Sequence, residues 1–128
     1  MTILINILGF IWALPITLIG LLALLTAGWP VSVMFDGWAV VIDVKLPFYV
    51  PNMKAVVYGN LVMCRPDVLF NGNLRKHELE HVRQCNIFGP FIIILYPMLS
   101  LLAWICYNKP YEMNWLEIMA RIKASTPE

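Results

Sequence analysis

Two long uncharged stretches constrain the fold more than any other feature of this sequence. No charged side chain occurs before Asp36, and a second uncharged run extends from Gln84 to Asn108. The chain is 60% hydrophobic and 13% charged, whereas soluble domains average about 45–50% and about 25%. Its 128 residues suffice for one domain with a modest core. These features predict a single-domain membrane protein.

The first uncharged stretch, Ile3–Gly28, is long enough to cross a hydrocarbon layer of about 30 Å, which needs roughly 20 residues. Pro15 lies in its middle and should kink the helix or divide it into two short pieces. No Lys or Arg precedes the stretch and no small-x-small site ends it, which argues against a cleaved signal peptide. We therefore expect a retained transmembrane anchor over residues 1–28 and one further domain over residues 29–128.

The middle of the chain carries strand and turn signals. Asp36-Gly37 separates VSVMF from WAVVIDV, and an Asp-Gly pair between two β-rich runs is typical of a hairpin. AVVYGNLVM, at Ala55–Met63, predicts a third strand. Asn71 or Asn73 can cap the helix predicted at Leu74–Phe88. The expected fold is an α+β membrane protein with a small antiparallel sheet.

The segment RKHELEHVRQ contains both histidines of the chain, His77 and His81, in an H-E-x-x-H pattern. Residues four apart on a helix share a face, so both imidazoles can reach one metal ion. Zinc suits imidazole nitrogen and tolerates the open fourth position that a catalyst requires. Glu78 points elsewhere and is placed to take a proton from water. The pattern predicts a zinc site with Glu78 as the general base.

A third protein ligand cannot be a histidine, because none remains. The metzincin continuation would need Gly and His where the sequence has Gln84 and Ile87. Cys85 would extend a nearly linear row along the same helix, which approximates a tetrahedron poorly. The three cysteines, Cys64, Cys85 and Cys106, form no CxxC and indicate free thiols in a reducing compartment. A carboxylate is therefore the expected third ligand.

Two downstream carboxylates compete for that role, Glu112 and Glu117. Pro110 favours Glu112, because proline suits the first turn of a helix and would place Glu112 in that turn. The predicted helix then runs from Tyr111 to about Ile122, with Glu117 on a different face. If neither reaches the histidines, the remaining candidates are Asp36, Asp43 and Asp67.

The segment NLRKHELEHVRQ, the later Tyr96 and the tetrapeptide KPYE together resemble small bacterial and phage HExxH proteins of the gluzincin kind. Those proteins often read HE-x-x-H-V-x-Q, then a Tyr, then N-P-[YF]-E-x-x-A. The resemblance covers about the last half of the chain. It implies that His77 and His81 are ligands, Glu78 the general base and Glu112 the third ligand.

The sequence departs from that pattern at two positions. Lys109 stands between Asn108 and Pro110, and Trp115 takes the place of the expected Ala. Residues 117–120 offer E-x-x-A in a shifted frame, which keeps Glu117 open as the alternative ligand.

The second apolar segment, Ile87–Cys106, raises a topological conflict. A transmembrane helix there would place the histidines and Glu112 on opposite sides of the bilayer. Gly89-Pro90 and Pro97 interrupt the segment and leave pieces too short to cross alone. We therefore expect a re-entrant or buried segment whose ends lie on one side, with the active site close to the membrane surface.

The basic residues predict the orientation of the chain. No Lys or Arg precedes the first apolar stretch, and most lie between the two stretches, at Lys45, Lys54, Arg65, Arg75, Lys76 and Arg83. By the positive-inside rule, the catalytic part faces the cytoplasm, and we expect a bacterial inner membrane.

These features together predict a membrane-anchored zinc metallopeptidase. Its expected partners are the lipid bilayer and a peptide or protein substrate. The edge of the third strand could hold an extended peptide of the substrate by strand addition. The net charge of +1 gives no electrostatic footprint for nucleic acid. The alternative is a non-catalytic membrane protein with a structural or absent metal, acting in assembly or bilayer perturbation.

Overall fold

The computed structural model describes residues 2–27, 30–44, 55–65 and 70–125 as a mixed α+β fold. Its elements follow in chain order: α1 (Thr2–Trp12), α2 (Leu14–Ala27), β1 (Pro30–Asp36), β2 (Ala39–Val44), β3 (Ala55–Tyr58), β4 (Leu61–Cys64), α3 (Gly72–Phe88), a 3₁₀ turn (Gly89–Phe91), α4 (Ile92–Tyr107) and α5 (Trp115–Ser125).

The first apolar stretch forms two helices rather than one. Their axes are bent by 57° at a break around Ala13, and Pro15 lies in the first turn of α2, where its missing N–H leaves no helical hydrogen bond unmade. The predicted division at the proline is confirmed. Helix α1 packs against α3, and α2 packs against β3 and β4. This stretch is therefore apolar and also packs against the sheet and α3.

The sheet has the strand order β1-β2-β4-β3, and it is mixed. Each hairpin is antiparallel, but β2 and β4 run parallel, so the prediction of an antiparallel sheet is wrong at this junction. The reason lies in Gly59-Asn60, which folds the predicted single strand Ala55–Met63 back on itself. Gly59 has a φ of 64°, as expected for the first position of a type II′ turn. The fold-back leaves β3 at the edge of the sheet.

Both faces of this sheet are covered by helices. On one face, Ile42, Leu61 and Met63 pack with residues of α2. On the other, Val41, Val62 and Cys64 pack with residues of α3. Successive strand residues point to opposite faces, so the unbroken apolar run Leu61–Cys64 serves both. The sheet thus fixes α3, and the histidines on it, relative to α2.

Asn60 joins three elements from inside the fold, where it is 1% exposed. Its backbone N–H donates to the Thr17 hydroxyl oxygen at 3.0 Å, and its Nδ2 donates to the Trp38 carbonyl at 3.0 Å. Its Oδ1 accepts from Asn86 Nδ2 at 3.1 Å. A buried amide with all these partners costs little free energy, and it locks the turn between β3 and β4 against α2 and α3.

Helix α3 confirms the helix predicted at Leu74–Phe88 and begins two residues earlier. With the 3₁₀ turn and α4 it forms a helical run of 36 residues, Gly72–Tyr107, which contains a stretch long and apolar enough to cross a membrane. The bent pair of α1 and α2 also qualifies if it is counted as one span. At the 3₁₀ turn, Gly89 has a φ of 58°, and a Cβ there would lie 2.3 Å from the Trp12 ring. Only glycine allows this contact between α1 and the break.

Helix α5 packs back against α3, so the parts of the chain before and after α4 meet within the molecule. The re-entrant course of this apolar segment in a bilayer stays a prediction. The alternative of a buried segment is wrong, since Ala103 is the one α4 residue among the buried hydrophobics. The helix exposes large apolar side chains, Ile93, Ile94, Met98, Leu101, Leu102, Trp104 and Ile105.

Helix α5 begins at Trp115, several residues after the start predicted near Pro110. Pro110 lies in a turn instead. Asn114 sets the start, because its side-chain Oδ1 accepts the Leu116 N–H at 2.9 Å, as an N-cap does. Its Nδ2 donates to the Tyr96 carbonyl at 3.0 Å and to the Ser100 hydroxyl oxygen at 2.8 Å. The beginning of α5 is therefore attached to α4.

Candidate metal centre

Three potential metal ligands meet where α5 crosses α3. His77 and His81 lie one turn apart on α3 and share a face, as predicted. Their Nε2 atoms are 3.2 Å apart, and Oε1 of Glu117 lies 3.2 Å from the first and 3.1 Å from the second. These three side chains form a group that could hold a metal ion. The Glu117 side chain is 5% exposed, and those of His77 and His81 are 17% and 14% exposed.

The structure does not bring Glu112 to this group. Its side chain is 66% exposed, and its carboxylate lies 3.8 Å from Lys109 Nζ. It precedes α5, in the turn at Pro110–Met113, whereas Glu117 lies in the first turn of the helix proper. Glu117, the alternative left open by the sequence, is the third member of the group that could hold a metal ion.

The hydrogen bonds of His81 leave its Nε2 atom available for a proton or a metal ion. Gln84 donates its Nε2–H to the Leu116 carbonyl at 2.9 Å, so its Oε1 faces His81 Nδ1, also at 2.9 Å. An amide oxygen only accepts, and His81 Nδ1 must therefore carry a proton. In the neutral ring, Nε2 then has a lone pair directed towards the Glu117 carboxylate. Two lone-pair atoms at this distance repel unless a proton or metal ion lies between them.

The dimensions of the triangle fit a zinc ion. Ligand atoms about 2.0–2.1 Å from tetrahedral zinc lie about 3.4 Å from one another. The observed separations of 3.1–3.2 Å are close to that value. Two imidazoles and one carboxylate also match the donor set of catalytic zinc sites, in which three protein ligands leave a position open. The hydrogen bond from His81 to Gln84 is of the kind that orients a metal-bound imidazole.

The charges in the group are strongly coupled. Burial raises the pKa of Glu117, but hydrogen bonds from His77 and His81 outweigh this effect and hold that pKa well below its usual range. Burial lowers the pKa of His81, yet the hydrogen bond with Glu117 and its negative charge raise it overall. Glu117 is thus an anion at neutral pH, and this negative charge favours the protonated form of His81 when no metal is bound.

Glu78 lies beside the group without belonging to it. It is 7% exposed and lines the same cavity as His77, His81 and Glu117. Burial raises the pKa of Glu78 to about 7, although His81 and His77 oppose the shift. A carboxylate with a pKa near neutrality can both take up and release a proton under physiological conditions. Glu78 therefore lies beside the candidate ligands, and its role as a general base stays a prediction.

A cavity of about 290 Å³ opens next to these four side chains. Strand β3 forms one wall along its whole length, Ala55–Tyr58, and helices α2 and α4 contribute apolar side chains. Tyr96 and Tyr111 also line it. The cavity therefore places an edge strand, a carboxylate base and the candidate metal ligands around a single space.

The other ligand candidates from the sequence have different surroundings. Cys85 lines the cavity, but burial raises the pKa of its thiol to about 11, so it stays protonated. Asp36 forms a paired contact with the Arg75 guanidinium at 2.6 and 3.0 Å. Glu80, the other glutamate between the two histidines, pairs with Arg83 at 2.7–3.0 Å. Asp43 is not in the three-residue group, and Asp67 lies outside the described residues.

A sequence signal for Glu117 existed in the segment N-W-L-E. Asparagine followed three residues later by glutamate is typical of a helix N-terminus. The structure has this cap at Asn114, which places Glu117 in the first turn. Pro110 suggested an earlier start and so favoured Glu112.

Comparisons with protein-family models, with curated proteins and with solved structures find no match for this chain.

Proposed function

We propose that this chain is a membrane-embedded, zinc-dependent metallopeptidase. His77, His81 and Glu117 hold the zinc ion, and Glu78 is the general base. The main support for this proposal is the triangle of two imidazole nitrogens and one carboxylate oxygen, whose edges measure 3.1–3.2 Å. A second, buried carboxylate lies beside this triangle and lines the same cavity. Zinc at this position would polarise a substrate carbonyl and lower the pKa of a water molecule towards about 7.

Glu78 carries the proton in this proposal. As a carboxylate beside the candidate zinc position, it can accept a proton from the attacking water and then deliver it to the departing amine nitrogen. The atoms balance, since water adds OH to the carbonyl carbon and H to the amine as the peptide C–N bond breaks. Tyr111 also lines the cavity, and burial raises its pKa to about 12, so its phenol stays protonated and can donate a hydrogen bond to the carbonyl oxygen.

Strand β3 is the element best placed to hold the substrate. It pairs with β4 on one side, and among the described backbone groups no hydrogen bond reaches its other edge. In the register Tyr58↔Leu61, alternate residues point their N–H and C=O groups outwards, Val57 among them. An extended peptide added along this edge would pass through the cavity beside Glu78.

Membrane location is supported by the exposed apolar surface of α1, α2 and α4. Side chains such as Leu22 (65% exposed), Leu25 (80%) and Ile105 (66%) have no cover within the described parts of the chain. A protein in water would not leave so many large apolar groups exposed on three helices. We place these helices in the bilayer, with the catalytic part on its cytoplasmic side, as the basic residues predict.

The non-catalytic alternative would need a closed metal site or none. A structural zinc site is closed by four protein ligands, and within the described ranges the group contains three. A buried carboxylate beside a site with a free coordination position favours catalysis, because a structural zinc site requires neither feature.

The experiment compares the zinc-loaded protein with Glu78→Gln in detergent micelles, using a randomised peptide pool and mass spectrometry of the products. We expect about one zinc per chain in both proteins. Glu78→Gln should slow cleavage by a factor of at least about 10²–10⁴, because the proton acceptor is lost. Glu80→Gln is the matched control, since that carboxylate pairs with Arg83. Equal cleavage by the parent and Glu78→Gln, or absence of zinc from the parent, would contradict the proposal.

A further inference from the structure

The wall of the cavity is continuous with the exposed apolar surface. Ile16 of α2 and Ile92 and Ile93 of α4 line the cavity. Ile93 is also 51% exposed, so one side chain belongs to both the cavity and the outer surface. Its neighbour Ile94 is 60% exposed and is not among the cavity-lining residues. The cavity wall at Ile93 is therefore continuous with the exposed apolar face of α4.

The candidate metal group lies close to the beginning of the apolar surface. Ile87, the first large exposed apolar residue of α3, follows His81 by six positions, about 9 Å along a helix. On α4, Tyr96 donates a hydrogen bond to Glu117 at 2.6 Å and comes one turn after Ile92. The ligands are thus at the boundary where polar α3 gives way to apolar α4. A bilayer covering α4 would reach Ile93, which belongs to the cavity wall.

We propose that the substrate is a membrane-anchored polypeptide, and that its extended segment enters the cavity sideways from the bilayer boundary, past Ile93. This inference rests on the proposed peptidase function and names its substrate class. The bond that is cut lies within a few residues of the substrate's own membrane anchor. The cavity of about 290 Å³ lies at the lower end of ligand-site volumes, and an extended segment with small or single apolar side chains fits it better than a folded loop.

The test presents one randomised peptide segment in three ways to the zinc-loaded protein in phosphatidylcholine vesicles. In the first, the segment directly follows a hydrophobic transmembrane helix. In the second, a long Gly/Ser linker separates it from the same helix, which keeps the local concentration high but moves the segment away from the bilayer. In the third, the segment is a free soluble peptide. Initial rates are measured by mass spectrometry of the products.

We expect the directly attached segment to be cut at least about tenfold faster than the linker-separated one. Equal rates for these two would overturn the inference while leaving the peptidase function intact, because tethering alone would then explain the gain. Faster cutting of the free peptide would overturn it in the same way. If the zinc-loaded protein cuts none of the three, the peptidase function fails and this inference fails with it.

Two neighbouring variants locate the entrance. Ile93→Asn should slow cutting of the directly attached segment by about tenfold, mainly through a higher KM, because the wall becomes polar where an apolar segment enters. Ile94→Asn adds the same group one residue away, outside the cavity, and should leave the rates unchanged. Zinc content measured for both variants confirms that each remains folded. Equal effects of the two variants would contradict entry past Ile93.

Discussion

The phenolic oxygen of Tyr96 donates a hydrogen bond of 2.6 Å to Oε2 of Glu117, while Oε1 of the same carboxylate faces the two histidines. The bond connects the apolar helix α4 to the first turn of α5. It fixes the rotation of the carboxylate, so that one oxygen is directed at the metal position. A side chain within the apolar segment thus orients a candidate metal ligand.

Tyr96→Phe should weaken zinc binding by about 10–100-fold, as is typical when a group that orients a metal ligand is lost. The ring remains, so the packing of α4 is retained and the fold should persist. Zinc affinity is measured by competition with a chromophoric chelator. Tyr107→Phe, which removes a hydroxyl from a 61% exposed residue at the end of the same helix, should leave the affinity unchanged. Equal affinities for Tyr96→Phe and the parent would contradict the orienting role.

Glu117→Gln should weaken zinc binding by more than about a hundredfold, because a neutral amide replaces an anionic ligand. Glu112→Gln is the matched control and should retain the parent affinity, since that side chain is exposed and paired with Lys109. Elemental analysis after purification distinguishes the two variants. The reverse result would restore Glu112 as the ligand.

Asn114→Ala should lower the free energy of unfolding by about 2–3 kcal/mol, through loss of the helix cap and of buried hydrogen bonds to α4. Zinc affinity should fall as well, because the cap positions the first turn that contains Glu117. Denaturant unfolding in micelles measures the first effect. Asn73→Ala, at an exposed position before the histidines, should change stability by less than about 0.5 kcal/mol. Similar losses for both variants would argue against the cap.

Zinc affinity should fall as the pH is lowered, beginning above the usual histidine pKa of about 6.5. The sign follows from His81, whose raised pKa in the metal-free protein means that it holds its proton to a higher pH, and zinc must displace that proton. Glu78, with a pKa of about 7, contributes a second proton that the metal charge expels. Calorimetry in two buffers of different ionisation enthalpy measures the protons released. An affinity that does not vary between about pH 8 and about pH 6 would contradict this assignment.

Single cysteines introduced at Asn73 and Lys123 should be labelled from the same side of a sealed vesicle. Both positions are exposed, and α5 returns against α3. Cys106 is replaced by serine in these variants, while Cys64 and Cys85 are buried. A membrane-impermeant thiol reagent should modify the two positions to the same extent. Modification from opposite sides would show that α4 crosses the bilayer between them.

Local patterns in the sequence were enough to predict several parts of the fold. Three predicted features each depend on a few neighbouring residues, and the structure contains all three. They are the helical spacing of His77 and His81, the Asp36-Gly37 turn and the break near Pro15. Gly59-Asn60 was also a local turn signal, but it lay inside an apolar run that reads equally well as one strand. The parallel pairing of β2 with β4 depends on that turn and was missed with it.

The third ligand was harder to predict because its selection depends on tertiary contacts. Pro110 and Asn114 both signal a helix start, and the sequence alone does not rank them. The structure favours Asn114, whose amide also bonds to α4 at Tyr96 and Ser100. The exposure of the apolar side chains of α4 likewise depends on how the helices pack, which neither length nor composition determines.

The order of the ligands along the chain affects when the site forms during synthesis. His81 and Glu117 are 36 residues apart, and the apolar helix α4 lies between them. A growing chain therefore makes the histidine pair and the base first, and it completes the ligand set only after the apolar segment has left the ribosome. Under the proposed function, the nascent protein would therefore be inactive until α5 docks against α3.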